Sequence, residues 1–345
     1  MNVTTVGLDI AKNVFYAHGV DRHGKVVMQR KLTRGKVLAF FAKLPPCLIG
    51  IEATGSAHYW ARALNALGHT TKLMPAQYVK PYVKRDKSDP NDAAGICEAV
   101  SRPSMRFAAI NTVEQQDMQM LHAIRQRLMQ QRTAALNQLR GLLAEYGIIF
   151  NQGACCLRRG ISQLLGQPSH GLSGLAMELI VDVQKQLTDA DERLAAYDAR
   201  VKRACQNDPR CQEIEALPGI GPLTATALVA KVGDGKQFKR ARQMGSCLGL
   251  TAREHSSGGK QRQYGISKRG DTYVRTLLIH GARSVLRHAA KKTDPDPLRR
   301  WALRVQARRG ANIAAVALAN KLARIAWAVL AKHRHYDPHW STQAA

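Results

Sequence analysis

Four acidic residues in the first hundred positions have types and spacing that suit metal-dependent chemistry on phosphates. Asp9 comes near the end of one apolar run, and Glu52 directly follows another at residues 48–51. If both runs are neighbouring strands, the two carboxylates lie at one sheet edge, where a divalent cation would offset their repulsion. Either acid alone more often marks only the point where a strand reaches solvent. Together they favour a metal site.

Two further acids, Asp89 and Asp92, precede a helical run within the segment 87–93. A helix N-terminus by itself explains this pattern, with Asp89 as cap, proline at the first helical position and negative charge near the helix dipole. Capping does not explain why so basic a chain also places acids at two strand ends upstream. The four acids together predict a ribonuclease-H-like site that binds Mg²⁺, and Asp86 lies outside that pattern.

The elements that would position these acids are three antiparallel strands followed by alternating helices and strands. Strands are predicted at residues 3–10, 13–20, 25–32, 47–51 and 70–74, and helices at 37–44 and 59–67. This order predicts an α/β domain over residues 1–107, with a mixed sheet flanked by helices.

The rest of the chain has the periodicity of helices. Long amphipathic helices are predicted at 113–146 and 175–205, joined by a Gly-containing connection at 153–174. They predict an antiparallel coiled-coil hairpin over residues 108–207, of the kind that commonly holds protomers together. The mostly helical pattern of residues 208–345 predicts a separate, all-α domain.

The charge of the chain points to a polyanionic partner. Lys and Arg number 52 against 25 Asp and Glu, a formal net charge of +27. The basic residues run along the whole chain rather than along one amphipathic helix, which favours nucleic acid over a membrane surface and predicts salt-sensitive binding.

Three other features predict an intracellular protein without a membrane span. The first twelve residues lack the pattern of a secretory signal. The apolar stretch 313–330 is interrupted by Lys321 and Arg324, so we interpret it as a core helix. The seven cysteines form no C-x-x-C pair, which indicates reduced packing residues rather than zinc ligands or disulfides.

A turn early in the last domain could bind a phosphate. The segment 217–225 contains Gly219 and Gly221 and resembles a helix-hairpin-helix turn, in which backbone N–H groups at a helix N-terminus hold a phosphate. A helix-to-helix turn without a ligand remains the alternative.

The motifs Gly-Leu-Asp-Ile-Ala-Lys, Gly-Ile-Glu-Ala-Thr-Gly and Asp-x-x-Asp-Ala resemble the DEDD signature of bacterial insertion-sequence transposases. This family comprises bridge-RNA-guided serine recombinases and is related to DEDD site-specific DNA invertases. The resemblance implies a RuvC-like (RNase H-like) domain, a coiled coil and a C-terminal transposase domain. It places the metal-binding acids at Asp9, Glu52, Asp89 and Asp92.

The resemblance also covers a serine segment at residues 249–260. The family's catalytic serine directly precedes glycine, which implies Ser257, with Ser256 as the second candidate. Without the resemblance, a Ser-Ser-Gly-Gly run is typical of a flexible loop. Five basic residues are expected to contact nucleic-acid phosphates: Lys260, Arg262, Lys268, Arg269 and Arg275.

The resemblance implies a DNA transposase that cuts and rejoins strands through a covalent phosphoserine. The resemblance implies donor and target DNA, a bridge-type non-coding RNA and a dimer or tetramer as partners, in the bacterial cytoplasm at the nucleoid. One alternative is a metal-dependent junction-resolving nuclease in which water attacks. The other is a non-enzymatic architectural protein that binds nucleic acid. His255 and His280 are assigned no role.

Overall fold

The computed structural model describes residues 2–84, 88–167, 171–291 and 296–338. The chain forms two compact units, Met1–Thr112 and Val113–Ala345. The predicted boundary at residue 207 therefore lies inside the second unit, and the division into three domains remains a prediction. Asp86 lies outside the described residues.

The first unit is built on a five-stranded mixed sheet. Its strands are β1 (Thr5–Ile10), β2 (Val14–Val20), β3 (Val26–Thr33), β4 (Leu48–Glu52) and β5 (Thr70–Met74), in the order β3-β2-β1-β4-β5. β1, β2 and β3 pair antiparallel, whereas β4 runs parallel to both β1 and β5. The predicted mixed α/β sheet is confirmed, with each strand end within two residues of its predicted position.

Helices cover both faces of this sheet. They are α1 (Val37–Phe41), α2 (Ala57–Ala66), α3 (Ala76–Val79) and α4 (Asp89–Val100). On one face, Val6 and Leu8 of β1 pack with Phe41 and Trp60 of α1 and α2 in a single apolar cluster. Side chains alternate along a strand, so the residues between them face the other side, where α4 packs.

The second unit is mostly helical. Its helices are α5 (Val113–Ala144), α6 (Ala154–Leu165), α7 (Gly174–Asn207), α8 (Pro209–Glu215), α9 (Pro222–Val232), α10 (Ala241–Cys247), α11 (Thr272–Ala289), α12 (Pro297–Arg309) and α13 (Ala311–Lys332), and its strands are β6 (Ala252–Glu254) and β7 (Gln263–Ile266).

The long helices α5 and α7 run antiparallel. Arg125 Nε lies 2.6 Å from Asp198 Oδ1, and Arg132 Nε, one heptad later, lies 2.5 Å from Asp191 Oδ1, one heptad earlier. The connection differs from the predicted Gly-containing link because it includes α6, whose buried Leu157 packs with leucines of both long helices. A coiled coil in the strict sense remains a prediction.

Helix α5 is tied to the C-terminal helices by a buried histidine. His122 Nδ1 lies 3.1 Å from the Tyr273 hydroxyl, and Nε2 lies 3.0 Å from the Thr226 hydroxyl. Burial, and then the charge of Arg125, lower the pKa of His122 to about 4, so the ring is neutral at physiological pH. This polar junction, together with the contacts that α5 and α7 make with α9, joins the long helices to the C-terminal helices in one unit.

Helix α13 is the one helix in the described part of the chain that is long and apolar enough to cross a membrane, judged by length and composition. More than half of its most apolar window is buried, and Leu318, Leu322 and Ala326 are completely buried in the core of the second unit. It is therefore a core helix, as predicted.

Candidate active site

Asp9 and Glu52 lie side by side on the same face of the sheet. The parallel register pairs Leu8 with Ile51, so Asp9 and Glu52 are the next residues along each strand. Both are half-buried. Because their side chains alternate with Leu8 and Ile51, which face the α2 side, both carboxylates project towards α4. The structure thus brings together the two acids that the sequence placed at neighbouring strand ends.

Two glycines missed by the sequence reasoning determine how α4 approaches these acids. Gly7 and Gly50 are register partners in β1 and β4, and each lies two residues before an acid. A Cβ at Gly7 would overlap the Ala93 carbonyl oxygen and the Cys97 backbone nitrogen, and one at Gly50 would lie 2.8 Å from Val100 Cβ. The glycine pair lets α4 lie directly on the sheet. The repeated Gly-x-acid spacing was the available sequence signal.

Asp89 and Asp92 occupy the first turn of α4 and not its cap. The N-cap is Ser88, whose side chain makes no capping hydrogen bond, and Pro90 is the second helical residue. The expectation that Asp89 itself caps the helix is therefore wrong, and its carboxylate is not engaged in capping. The two acids still favour the helix N-terminus because their charge complements the helix dipole.

The charges of Glu52, Asp89 and Asp92 all act on Asp9, and these four carboxylates are here called the acid cluster. Burial is the main cause that raises the pKa of Asp9 to about 6, and the charges of Asp92, Asp89 and Glu52 raise it further. A hydrogen bond from the Ile10 backbone N–H acts in the opposite direction. Repelling oxygen ligands of this kind suit a hard divalent cation.

The side chains of the acid cluster are not arranged as preformed metal ligands. Across the described ranges, no three His, Cys, Asp or Glu side chains are grouped closely enough to hold an ion. The donor set, three carboxylates whose charges act on the carboxyl group of Asp9, nevertheless fits a divalent metal. Asp9, Glu52, Asp89 and Asp92 are the residues that would hold it.

The serine segment forms an ordered β-hairpin rather than the loop its composition suggests. Strands β6 and β7 pair antiparallel, and the Lys260 backbone N–H donates to the Ser257 carbonyl at 3.1 Å. Gly258 and Gly259, the two residues between them, have φ values of +56° and +75°, as a type I′ turn requires. Ser257 is therefore the first residue of the turn at the exposed tip of residues 252–266, here called the serine hairpin.

The two candidate serines have different hydroxyl environments. The Ser256 hydroxyl donates to Glu254 Oε1 at 2.8 Å and accepts from the Arg262 backbone N–H at 3.3 Å. The Ser257 hydroxyl has no hydrogen-bond partner within the described residues, and its side chain is exposed. Ser256 thus closes the hairpin, whereas Ser257 has its oxygen available for a substrate.

Four of the five predicted phosphate contacts are exposed around the serine hairpin. Lys260, Arg262, Lys268 and Arg269 are exposed and form no ion pair among the described residues.

Arg275 differs from these four basic residues because only 7% of it is exposed. Its guanidinium donates to the carbonyls of Leu248 and Arg269 at 3.2 and 3.3 Å. This geometry favours a structural role for Arg275, which holds the base of the hairpin, over the predicted phosphate contact.

The predicted phosphate-binding turn lies between α8 and α9. Gly219 packs against α11, where an added Cβ would lie 2.7 Å from the Gly281 carbonyl oxygen. Gly221 is the N-cap residue of α9 and has open space beside it. Gly219 is therefore needed for helix packing, and Gly221 is the one of the two that could meet a ligand.

Two protein-family matches cover the segments that contain the acid cluster and the serine hairpin. Residues 211–295 match the family described as Transposase IS116/IS110/IS902 family, and residues 6–148 match the DEDD transposase family of the IS110 type. A probable family 20 transposase of Pseudomonas aeruginosa is 48% identical over 98% of this chain and 100% of its own length. The chain belongs to the IS110/IS116 family of transposases.

Other relatives of this transposase support the assignment along nearly its whole length. The transposase for insertion sequence element IS1111A of Coxiella burnetii is 43% identical over 97% of this chain and 92% of its own length. The transposase for IS1328 of Yersinia enterocolitica is 37% identical over 95% and 97%, respectively. The two family matches include all four acids and Ser257, whereas α12 and α13 lie beyond residue 295, where the match to the C-terminal part ends.

Proposed function

We propose that this transposase cuts and rejoins DNA with Ser257 as nucleophile and the acid cluster as the site of Mg²⁺. The observation that carries the proposal is the placement of Asp9 and Glu52 at adjacent strand ends, on the sheet face that α4 covers with Asp89 and Asp92 in its first turn. The free hydroxyl of Ser257, at the tip of a hairpin with basic residues around it, supports the choice of nucleophile.

The proposed chemistry conserves phosphoester bonds. Ser257 Oγ forms a bond to the scissile phosphorus while the bond to the leaving deoxyribose oxygen breaks. The hydroxyl proton passes to solvent, and the leaving oxygen acquires a proton. In the second step a hydroxyl at another DNA end attacks the phosphoserine and releases Ser257. Because the ester is exchanged and not hydrolysed, no nucleotide cofactor is required.

The acidic residues would hold the metal, and the basic residues bind phosphates. A bound Mg²⁺ would polarise the phosphate and offset the negative charge of the acid cluster. Lys260 and Arg262 on the hairpin, with Lys268 and Arg269 at its base, bind phosphates on either side of the scissile one and stabilise developing charge. The amide at Gly221 and the N-terminus of α9 offer a further backbone contact.

Partners follow from the charge and from the family. The net charge of +27 suits simultaneous binding of donor DNA, target DNA and a bridge-type RNA that selects the sequences. We propose that the protein acts as a dimer or tetramer on the nucleoid in the cytoplasm, with Ser257 supplied to the acid cluster of another protomer.

The test compares Ser257→Ala with Ser256→Ala as the matched control, on DNA carrying the element ends and with RNA from the sequence flanking the gene. Denaturing gels should show that Ser257→Ala loses both strand cleavage and the covalent protein-DNA adduct, whereas Ser256→Ala keeps most of both.

Two results would replace the proposal with another function. Mg²⁺-dependent cleavage by Ser257→Ala without an adduct would identify a junction-resolving nuclease that uses water. Binding without cleavage by the unaltered protein, under every metal condition, would identify an architectural protein.

A further inference from the structure

The surface formed by α12 and α13 is strongly basic, and Asp296 at the start of α12 pairs with Arg299 alone among its described basic residues. Residues 297–336 contain nine Lys or Arg and no Asp or Glu. Arg300, Arg304 and Arg308 recur every four residues and are exposed, which places them along one face of α12. Within the described residues, none of these three forms an ion pair with a carboxylate. Folding alone gives no reason to gather these charges.

The charges surround an aromatic hollow. Trp301, Arg304, Ala307 and Arg308 line a space of about 520 Å³, here called the basic hollow. Lys321 Nζ of α13 lies 4.3 Å from the centroid of the Trp301 ring. Trp301 is only half-buried although it is the largest side chain on this face. The accessible part of this indole borders a hollow that Arg304 and Arg308 also line, which suits a planar ligand that carries negative charge.

Neighbouring positive charges act on Lys321 within this surface. Burial, and then the charges of Arg324 and Arg304, lower the pKa of Lys321. The three cations are thus close enough to destabilise one another in the free protein. A bound phosphate would relieve this repulsion and would release counterions.

We infer that the basic hollow binds an unpaired nucleotide segment, with its base against Trp301 and its phosphates on Arg304 and Arg308. Bases of a duplex are stacked on their neighbours and cannot enter a hollow beside a helix. An unpaired base can stack on an aromatic ring, and such contacts tolerate any sequence. The inference rests on the proposed function only in taking nucleic acid as the ligand.

The source of the unpaired segment is either DNA opened during strand exchange or a loop of RNA, and both have the same stacking and phosphate chemistry. Binding of fluorescent oligothymidylate DNA and oligouridylate RNA of equal length distinguishes them, with a blunt DNA duplex as the third ligand. Tighter binding of one single strand identifies that source.

Three variants of the full-length protein test the surface. Arg304→Gln with Arg308→Gln should weaken single-strand binding about tenfold and lower the slope of log K against log salt by roughly 1.4, at about 0.7 per lost contact. Trp301→Leu should weaken binding by a similar factor without changing the slope, because stacking releases no counterions. Trp301→Phe keeps an aromatic ring and should retain most of the affinity.

The matched control is Lys202→Gln with Arg203→Gln, which removes the same charge from exposed positions on α7. It should leave single-strand affinity within about twofold, at a melting temperature equal to that of the other variants. Single-strand binding by Trp301→Leu equal to that of the unaltered protein would overturn the inference. An equal loss of duplex binding, or an equal loss in the control, would also overturn it. Because the assay measures binding alone, its outcome does not depend on whether Ser257 is the nucleophile.

Discussion

Asp9 and Glu52 are held on adjacent strands of a sheet with helices on both faces, whereas Ser257 lies at the tip of a hairpin whose strands are almost entirely exposed. At the first site, Gly7 and Gly50 allow α4 to pack so close to the sheet that no side chain fits between the helix and these two residues. Around Ser257, neither turn glycine has a neighbour within contact distance of an added Cβ. One site is positioned by packing and the other by a local turn.

The difference has a physical meaning for catalysis. A cluster of repelling carboxylates keeps its geometry only if rigid elements impose it, which requires buried strands and a closely packed helix. A nucleophile that must approach a phosphate and then withdraw with DNA attached is better placed on an exposed segment with few contacts. The two sites lie in different compact units of the chain.

The largest expected effect is on chemistry at the rigid site. Asp9→Asn or Glu52→Gln should reduce Mg²⁺-dependent strand cleavage by roughly a thousandfold or more, because stabilisation of transition-state charge by a metal is worth several kcal/mol. Cleavage should be measured in single-turnover reactions with protein of matched melting temperature. Undiminished cleavage by either variant would remove the acid cluster from the mechanism.

The second largest expected effect is a difference in stability between glycine variants of the two regions. Gly7→Ala places a Cβ against the backbone of α4 and should lower the free energy of unfolding by about 3 kcal/mol, since the helix must shift. Gly265→Ala in β7 adds a Cβ in open space and should change it by less than about 0.5 kcal/mol. Urea denaturation of both variants gives the comparison. Equal effects would show that α4 does not depend on the glycine pair.

The pH dependence of stability gives a smaller effect with a definite sign. The pKa of Asp9 is raised from 3.8 to about 6, so its protonated form is favoured in the folded protein. Its contribution to stability is complete below about pH 4 and is lost as the pH rises through about 6.

In metal-free buffer, Asp9→Asn should therefore stabilise the protein by about 1 kcal/mol near pH 7.5, after allowance for solvent screening. It should have little effect near pH 4. Chemical denaturation at both values measures the difference. Destabilisation of the metal-free protein by this variant at the higher pH would contradict the repulsion among the acids.

The smallest expected effect concerns the charges of the serine hairpin. Lys268→Gln with Arg269→Gln should reduce the salt dependence of duplex binding, with the slope of log K against log salt falling by up to about 1.8, or 0.9 per lost contact. Arg275→Gln should act differently because its guanidinium is buried and hydrogen-bonded to carbonyls. This variant should lower the free energy of unfolding and change the salt slope little. Binding titrations at several salt concentrations measure the slope for each variant. An affinity independent of salt would exclude contacts between the protein and the DNA phosphates.

The sequence predicted the sheet well because its strands follow simple patterns. The short apolar run 48–51 follows Pro45 and Pro46, which favours a buried strand that ends at Glu52. The same patterns placed Asp9 and Glu52 together. The repeated Gly-x-acid spacing at Gly7 and Gly50 was also present in the sequence, but the close approach of α4 to these glycines depends on how the helix packs on the whole sheet.

Elsewhere the sequence lacked the necessary signal. Strands β6 and β7 have almost no buried side chain, so no apolar alternation marks them, and the Gly-rich segment resembled a loop. Helix α6 was missed because its few core residues, including Leu157 and Ile161, were attributed to the connection between two longer helices. The burial of Arg275 depends on carbonyls that only the folded chain brings to its guanidinium.

The central claim is that the acid cluster and Ser257 act in one reaction, with the serine supplied by another protomer. Asp9→Ala and Ser257→Ala proteins, each inactive alone and one of them carrying a tag that changes its size, should be mixed in verified hetero-oligomers with labelled DNA and resolved on denaturing gels. The account predicts restored recombination and an adduct on the Asp9→Ala chain only. An adduct on the Ser257→Ala chain would contradict the assignment of the nucleophile, and absence of any rescue would contradict the exchange between protomers.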